Sequence, residues 1–67
     1  MDIRRQVGKN LAKIRKDKGL TQEELAFDCE LDRTYISGIE RGIRNPTVLI
    51  IQKIANALKI VPSKLLE

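Results

Sequence analysis

The sequence predicts an all-α domain of five short helices, on three observations. Apolar residues recur at helical spacing in successive segments. Capping residues and glycines stand where those segments begin and end. No repeat, low-complexity stretch or linker divides the 67 residues, so residues 1–67 are predicted to form a single domain.

The first helix is predicted from about Asp2 to Lys18. Apolar residues recur there at steps of four, four and three, in one amphipathic stripe: Ile3, Val7, Leu11 and Ile14. Gly19 follows as the residue that tolerates left-handed torsions at a helix end.

The second and third helices are predicted as a pair joined by a tight bend. Thr21 caps the second helix, and Glu24 three residues later completes a capping box. Asp32 caps the third helix, so only residues 29–32 remain for the turn. A turn of this length is typical of a helix-turn-helix unit, here spanning about residues 21–41.

The apolar residues of this pair fall where such a unit needs them. The inward positions are Leu25, Ala26, Cys29, Leu31, Ile36 and Ile39. Ala26 is the most telling of these, because two helices that cross closely need a small residue near their contact. Cys29 is interpreted as a small buried apolar residue rather than as a reactive thiol.

Two further helices are predicted after a loop over residues 42–47, where Pro46 disfavours helix at Asn45. The fourth runs from about Val48 to Leu58, with a core stripe of Val48, Ile51, Ile54, Ala55 and Leu58. Leu49 and Ile50 fall off that stripe. Pro62 suits the first turn of a short fifth helix through Leu66.

Composition excludes several classes of protein. One cysteine and no histidine leave no intrachain disulfide, no zinc cluster and no histidine-activated nucleophile, so no metal, cofactor or catalysis is expected. No secretion signal is apparent, and a cytoplasmic location is expected. Net charge is +4, but residues 20–32 carry five acidic and no basic groups, whereas residues 33–45 carry three basic and one acidic. The third helix and its following loop therefore have the basic bias of a nucleic-acid surface.

The outward side of the third helix is set by its inward isoleucines at 36 and 39. Thr34, Gly38, Arg41 and, less directly, Ser37 then point outward, while Arg33 lies at the N-terminal end that enters a DNA groove. Arginine reads guanine through its fork, threonine offers a hydroxyl and a methyl, and a bare glycine lets a helix sit deep. The competing interpretation is a solvated helix face.

Four other residues are candidates near this face. Tyr35 either packs on the sugar–phosphate edge or covers the helix pair from solvent. Gln22 stands at a helix N-terminus, where phosphates bind well. Arg44 and Asn45 project from the next loop, where phosphate contact is the default expectation.

Glu40 lies on the inward side of the third helix, where an unpaired carboxylate is costly. Arg15, near the end of the first helix, is the best candidate for a bidentate partner. The alternatives are that Glu40 turns out to solvent or pairs with Arg44.

These motifs carry a family resemblance. Residues 19–45 resemble the helix-turn-helix family of phage repressors and Cro proteins, the XRE family. Leu-Asp-Arg-Thr-Tyr-Ile-Ser-Gly-Ile-Glu-Arg-Gly at 31–42, followed by Arg-Asn-Pro at 44–46, is similar to controller proteins of restriction–modification systems. The resemblance implies a five-helix domain that binds operator DNA as a dimer and switches transcription of its own gene and of the endonuclease gene.

The resemblance also implies roles for single residues. Base contacts fall on Arg33, Thr34 and Arg44, and contacts at or near the DNA backbone fall on Gln22, Tyr35, Ser37, Arg41 and Asn45. It places an ion pair on Arg15 and Glu40. Three residues depart from the family pattern: Glu30 stands where many relatives have glycine, Lys59 replaces a common glycine, and Val61 replaces a capping serine.

A homodimer is expected through the last two helices. Leu49 and Ile50 lie off the core stripe. Leu65 and Leu66 lie on a short terminal helix that can bury only one of its sides, so all four are candidate interface residues. The competing interpretation is that they are scattered surface hydrophobes. Competing functions are a phage-type repressor, an antitoxin-like protein-interaction module and nonspecific DNA packaging.

Overall fold

The computed structural model describes residues 2–67, which form four α-helices and one turn of 3₁₀ helix. The elements are α1 (Ile3–Asp17), α2 (Gln22–Cys29), α3 (Arg33–Glu40), α4 (Val48–Leu58) and the 3₁₀ helix Pro62–Leu65. The all-α class and the helix-turn-helix are confirmed, but five α-helices is wrong. None of the helices in residues 2–67 is long and apolar enough to cross a membrane.

The predicted caps are present at the helix starts. Thr21 Oγ1 accepts from Glu24 N at 3.0 Å, and Glu24 Oε1 accepts from Thr21 N at 2.8 Å, which completes the capping box of α2. The Asp32 carboxylate caps α3. Gly19, just beyond the Lys18 cap of α1, has a φ of +73°, as expected for a residue that ends a helix. The starts of α2 and α3 are therefore each fixed by hydrogen bonds from residues close in sequence.

The core lies between all five elements. Its most completely buried large side chains are Leu11, Leu25, Ile36, Ile39, Ile54, Leu58 and Leu65. Ala26 and Cys29 are buried as predicted, and Leu31 packs against the core from the turn. Burial raises the pKa of the Cys29 thiol, which favours the neutral apolar form over a thiolate.

Gly8 permits the closest approach of two helices, and sequence patterning did not identify it. A Cβ at Gly8 would lie 2.3 Å from Ile39 O and 2.7 Å from Glu40 O, so the α1 backbone lies directly against the end of α3. Any side chain at position 8 would push α1 away from α3. From the sequence alone, a glycine within an amphipathic helix indicates only a weak helix former, and the contact with α3 explains why it stands there.

The first turn of α4 corrects the predicted core stripe. Val48 was expected in the core but is 82% exposed, and it lines an open groove together with residues of α1 and the 3₁₀ helix. Leu49 is 79% exposed, as its off-stripe position predicts. Ile50 is half-buried and packs against the core.

The predicted fifth helix is a single 3₁₀ turn, and this changes the expected exposure of its leucines. Val61 provides no side-chain cap, and the bonds Lys64 N to Val61 O and Leu66 N to Ser63 O close three-residue turns. Leu65 is only 1% exposed, so it belongs to the core and its assignment to an interface is wrong. Leu66 remains 49% exposed. Asn10 Nδ2 donates to Leu65 O at 2.9 Å and fixes this turn against α1.

Glu30 is a strained position that a glycine would relieve. It caps α2 with a φ of +58°, in the left-handed region that favours glycine, and Lys59 caps α4 in the same region with a φ of +59°. Left-handed torsions cost a residue with a Cβ about 1–2 kcal/mol, and glycine removes this cost. Glycine also increases the conformational entropy of the unfolded chain, which lowers stability by about 0.4–1 kcal/mol. We expect Glu30→Gly to raise the free energy of unfolding by about 0.5–1 kcal/mol, measured by urea denaturation.

Lys18→Gly is the matched control for this prediction, because Lys18 also caps a helix but has an ordinary φ of −90°. It is expected to lower stability. Glu30→Gln separates the loss of charge from the relief of strain. If Glu30→Gly and Lys18→Gly lowered stability alike, the strain at position 30 would be refuted.

Candidate nucleic-acid interface

Three exposed arginines surround α3. Arg33 is its first residue, Arg41 is its C-cap, and Arg44 lies in the loop that follows. Within residues 2–67, none of the three forms an ion pair with a carboxylate. Their charges therefore remain available to an anionic partner.

The only acid of α3 is withdrawn from this surface by α1. Arg15 Nε lies 2.6 Å from Glu40 Oε2, and Arg15 Nη2 lies 3.0 Å from Glu40 Oε1, a bidentate pair. The two side chains are 9% and 7% exposed. The bond to Glu40 raises the pKa of the Arg15 guanidinium above its ordinary value. The predicted pairing is present, and the two alternatives for Glu40, solvent or Arg44, are wrong.

Gln22 joins this pair to the surface. Its Nε2 donates to Glu40 Oε1 at 2.9 Å, while Arg15 Nη1 donates to Leu20 O at 2.8 Å. The Gln22 carboxamide is half-buried and lines the same shallow hollow as Arg33. One amide proton is used inside the protein, so the carbonyl oxygen and the second proton remain for a ligand.

Thr34 is oriented by the cap of its own helix. The Asp32 Oδ1 atom accepts from Thr34 N at 2.9 Å and from Thr34 Oγ1 at 2.8 Å. These two bonds lower the pKa of the Asp32 carboxyl, the bond from the Thr34 backbone more than the bond from its hydroxyl. The cap therefore stays ionised under ordinary conditions. With its hydroxyl proton directed at Asp32, exposed Thr34 offers a methyl group and an acceptor lone pair.

The remaining predicted residues lie on α3 after Thr34 and in the loop that follows the helix. Tyr35 and Ser37 are half-buried, and Asn45 is exposed. Gly38 lies on the outward side of α3, as predicted, but the prediction that it is bare is wrong: it is buried, and the side chain of Arg44 lies over it. The side chain of Arg44 therefore packs against α3, although its backbone belongs to the following loop.

A capped pair of helices with an exposed, cationic second helix defines the helix-turn-helix class of DNA-binding domains. The helix-turn-helix family model matches residues 11–66, so the chain belongs to this family.

Similar proteins agree with this class. The control protein C.BamHI of Bacillus amyloliquefaciens is 48% identical over 67 residues, covering 98% of this chain and 83% of that protein. The restriction–modification controller protein C.AhdI of Aeromonas hydrophila superposes with a TM-score of 0.90 at 47% identity, covering 92% of this chain and 94% of that one. A hypothetical transcription factor of Neisseria, NHTF, gives a TM-score of 0.94 at 42% identity over 98% of this chain and 76% of that one. The resemblance inferred from residues 31–46 is confirmed.

Proposed function

We propose that the protein is a sequence-specific transcriptional regulator that places α3 in the major groove of operator DNA, acts as a homodimer and controls a restriction–modification system. The observation that carries the proposal is the uncompensated charge of Arg33, Arg41 and Arg44 beside a helix whose only acid is paired internally. Similarity to control proteins supports the finer assignment. Such a regulator works on chromosomal DNA, so we assign it to the cytoplasm.

The contacts divide into those that read bases and those that hold the backbone. Arg33 and Thr34, at the N-terminal end of α3, are assigned to base edges together with Arg44. The backbone contacts are assigned to Gln22, Tyr35, Ser37, Arg41 and Asn45. The fixed carboxamide of Gln22, at the start of α2, suits a phosphate oxygen because one orientation of the amide is already selected by Glu40.

A second copy of this chain is the partner that the apolar surface fits. A groove of about 330 Å³ runs between the start of α1, the first turn of α4 and the 3₁₀ helix, and its exposed apolar walls include Ile3, Val48 and Leu66. Leu49 extends this surface along α4. We assign Leu49, Leu66 and the exposed part of Ile50 to a two-fold interface. Such symmetry would present two copies of α3 to one face of DNA.

Selection from a random pool of 30-base-pair duplexes, followed by gel shifts at physiological salt, tests the proposal. A regulator is expected to enrich one palindromic sequence and to bind it about 10³-fold or more above random DNA. A protein-interaction module on the same fold enriches no sequence, and a packaging protein binds all duplexes alike. Methyltransferase and endonuclease genes beside this one would support the controller assignment, and their absence would contradict it.

Arg33 is expected to discriminate between bases. Arg33→Ala should cost about 1–3 kcal/mol on the selected duplex and relax specificity at one base pair in each half-site, because it removes a bidentate reader. Quantitative gel shifts on duplexes with single substitutions measure this.

Arg41→Ala is the matched control, since it also removes one exposed arginine beside α3. It should weaken binding to all sequences and reduce the slope of log affinity against log salt by about one. Equal losses of specific and random-DNA affinity in Arg33→Ala would refute its role as a base reader.

A further inference from the structure

Gly38 lies at the centre of the face of α3 to which the proposed function assigns DNA contacts. Thr34, Gly38 and Arg41 follow one another at steps of four and three, so they form one stripe of the helix, opposite the buried Ile36 and Ile39. The glycine leaves a notch in this stripe. The notch is not empty, because Gly38 is buried under a residue from the following loop.

Arg44 fills the notch with its aliphatic stem. A Cβ built on Gly38 would lie 2.5 Å from Arg44 Cγ, but 3.5 Å from Arg44 Cβ and 3.6 Å from Cδ. The overlap at Cγ is severe, whereas the distance to Cβ is ordinary van der Waals contact. A methyl group at position 38 would therefore displace the Arg44 side chain from Cγ outward, without moving the loop backbone.

The loop backbone is attached to the same residue. Gly38 O accepts from both Ile43 N, at 3.0 Å, and Arg44 N, at 3.2 Å. Two bonds to one carbonyl fix the point from which the Arg44 side chain departs. The direction of its stem then depends on the space above Gly38.

Tyr35 fixes the other end of the arginine. Arg44 Cζ lies 5.9 Å from the centroid of the Tyr35 ring, within the range of a cation–π contact. Tyr35 and Gly38 are three residues apart on α3, so the stem and the guanidinium both rest on one strip of this helix. Arg44 stays exposed to solvent along this strip.

We propose that Gly38 and Tyr35 are positioning residues that hold Arg44 along the DNA-facing side of α3 before DNA arrives. The inference rests on the proposed function, because it assigns a purpose to the pose of one of its DNA-contacting residues. An arginine on a free loop loses the freedom of several rotatable bonds when it binds. An arginine that is already held against α3 has lost part of that freedom on folding. More of its contact energy then appears as affinity and as discrimination between sequences.

Gly38→Ala tests whether Gly38 positions Arg44, through a double-mutant cycle with Arg44→Ala. Binding is measured on the duplex selected by the wild-type protein. We expect Gly38→Ala to weaken binding about 10-fold or more, in the range that one good arginine contact contributes. In the Arg44→Ala background, the same substitution should change affinity less than about twofold, since no side chain remains to be displaced. Alanine is a better helix former than glycine, so the thermal midpoint should hold or rise.

A loss of affinity that is equal in both backgrounds would overturn the proposal. It would mean that the added methyl group meets DNA directly and that the glycine only lets the helix sit deep. Unchanged affinity of Gly38→Ala in the wild-type background would overturn it too.

A measurement without DNA separates this inference from the proposed function. Tyr35 is the only tyrosine, so nuclear Overhauser effects between its ring and the Arg44 side chain can be assigned in the free protein. They are expected in the wild type and in Tyr35→Phe. Their absence from the wild type would refute the positioning of Arg44 by Gly38 and Tyr35 even if DNA binding were confirmed. They should be lost in Gly38→Ala. Tyr35→Leu, which keeps apolar bulk without a ring, should lose discrimination at the base pair that Arg44→Ala affects. Tyr35→Phe should keep this discrimination, while loss of its backbone contact lowers affinity for all sequences alike.

Discussion

Replacing Glu40 by glutamine, or Arg15 by methionine, is expected to lower the free energy of unfolding by about 3–5 kcal/mol. Each substitution leaves one charge without its partner in a site where both side chains are more than nine-tenths buried. The remaining group keeps its desolvation cost and loses two charge-assisted bonds. A domain of this size has roughly 3–10 kcal/mol of stability in total, so either variant is close to unfolding.

The double variant Arg15→Met/Glu40→Gln distinguishes a buried pair from two independent residues. It contains no unpaired charge, so it should be more stable than the sum of the single losses predicts, by about 2 kcal/mol or more. Denaturation of all four proteins in urea measures this coupling. Full recovery is not expected, because Leu20 O also loses its donor, Arg15 Nη1.

Lys13 and Asp17 provide the matched control. Their ion pair also joins a cation to a carboxylate, at 3.1 Å, but the side chains are 77% and 64% exposed. Lys13→Met should therefore cost about 0–1 kcal/mol. Additive effects of that small size at Arg15 and Glu40 would show that burial does not strengthen their pairing.

Local chemistry explains why much of the helix-turn-helix was predictable. Thr21, Glu24 and Asp32 act within three residues of their own helix starts, so their hydrogen bonds follow from sequence spacing alone. The bounds of α4 also follow from local residues, since Thr47 caps one end and Lys59 adopts a left-handed turn at the other. The buried face of α3 follows from the spacing of Ile36 and Ile39.

The errors arose where a distant element decides the environment. Periodicity indicates which way Val48 points, but not that the space between α4, α1 and the 3₁₀ helix remains an open groove there. Gly38 does point outward from α3, as predicted, but the loop after Gly42 returns Arg44 to cover it. Leu65 is buried because the last turn is 3₁₀ and packs against α1. Each error concerns a contact between elements, which single-sequence patterns do not contain.

The first turn of α4 presents an exposed apolar surface. Val48 and Leu49 are 82% and 79% exposed in the first turn of α4, beside the groove that Leu66 and Ile3 line. Adjacent exposed aliphatic side chains on a small domain are typical of an interface. Ile50 is a poorer target for substitution than these two, because it also packs against the core.

Val48→Glu/Leu49→Glu is expected to give a folded monomer. Acidic residues are favourable in the first turn of a helix, and α4 has none there, so the fold should survive. Two carboxylates at each half of a two-fold contact would face an apolar surface and each other, which is costly. Sedimentation velocity should change from dimer to monomer while the helical circular dichroism signal remains.

Operator binding should fall with the dimer. Two linked recognition helices, repeated about 34 Å apart, reach successive major-groove turns, and the second engagement is effectively intramolecular. The monomer should therefore bind the selected duplex about 10²–10⁴-fold more weakly, with its affinity for a single half-site little changed. Phe27→Gln is the matched control, since Phe27 is 84% exposed on α2, outside the groove, and its loss should leave the dimer intact. A Val48→Glu/Leu49→Glu protein that still sedimented as a dimer would move the interface to another face of the domain.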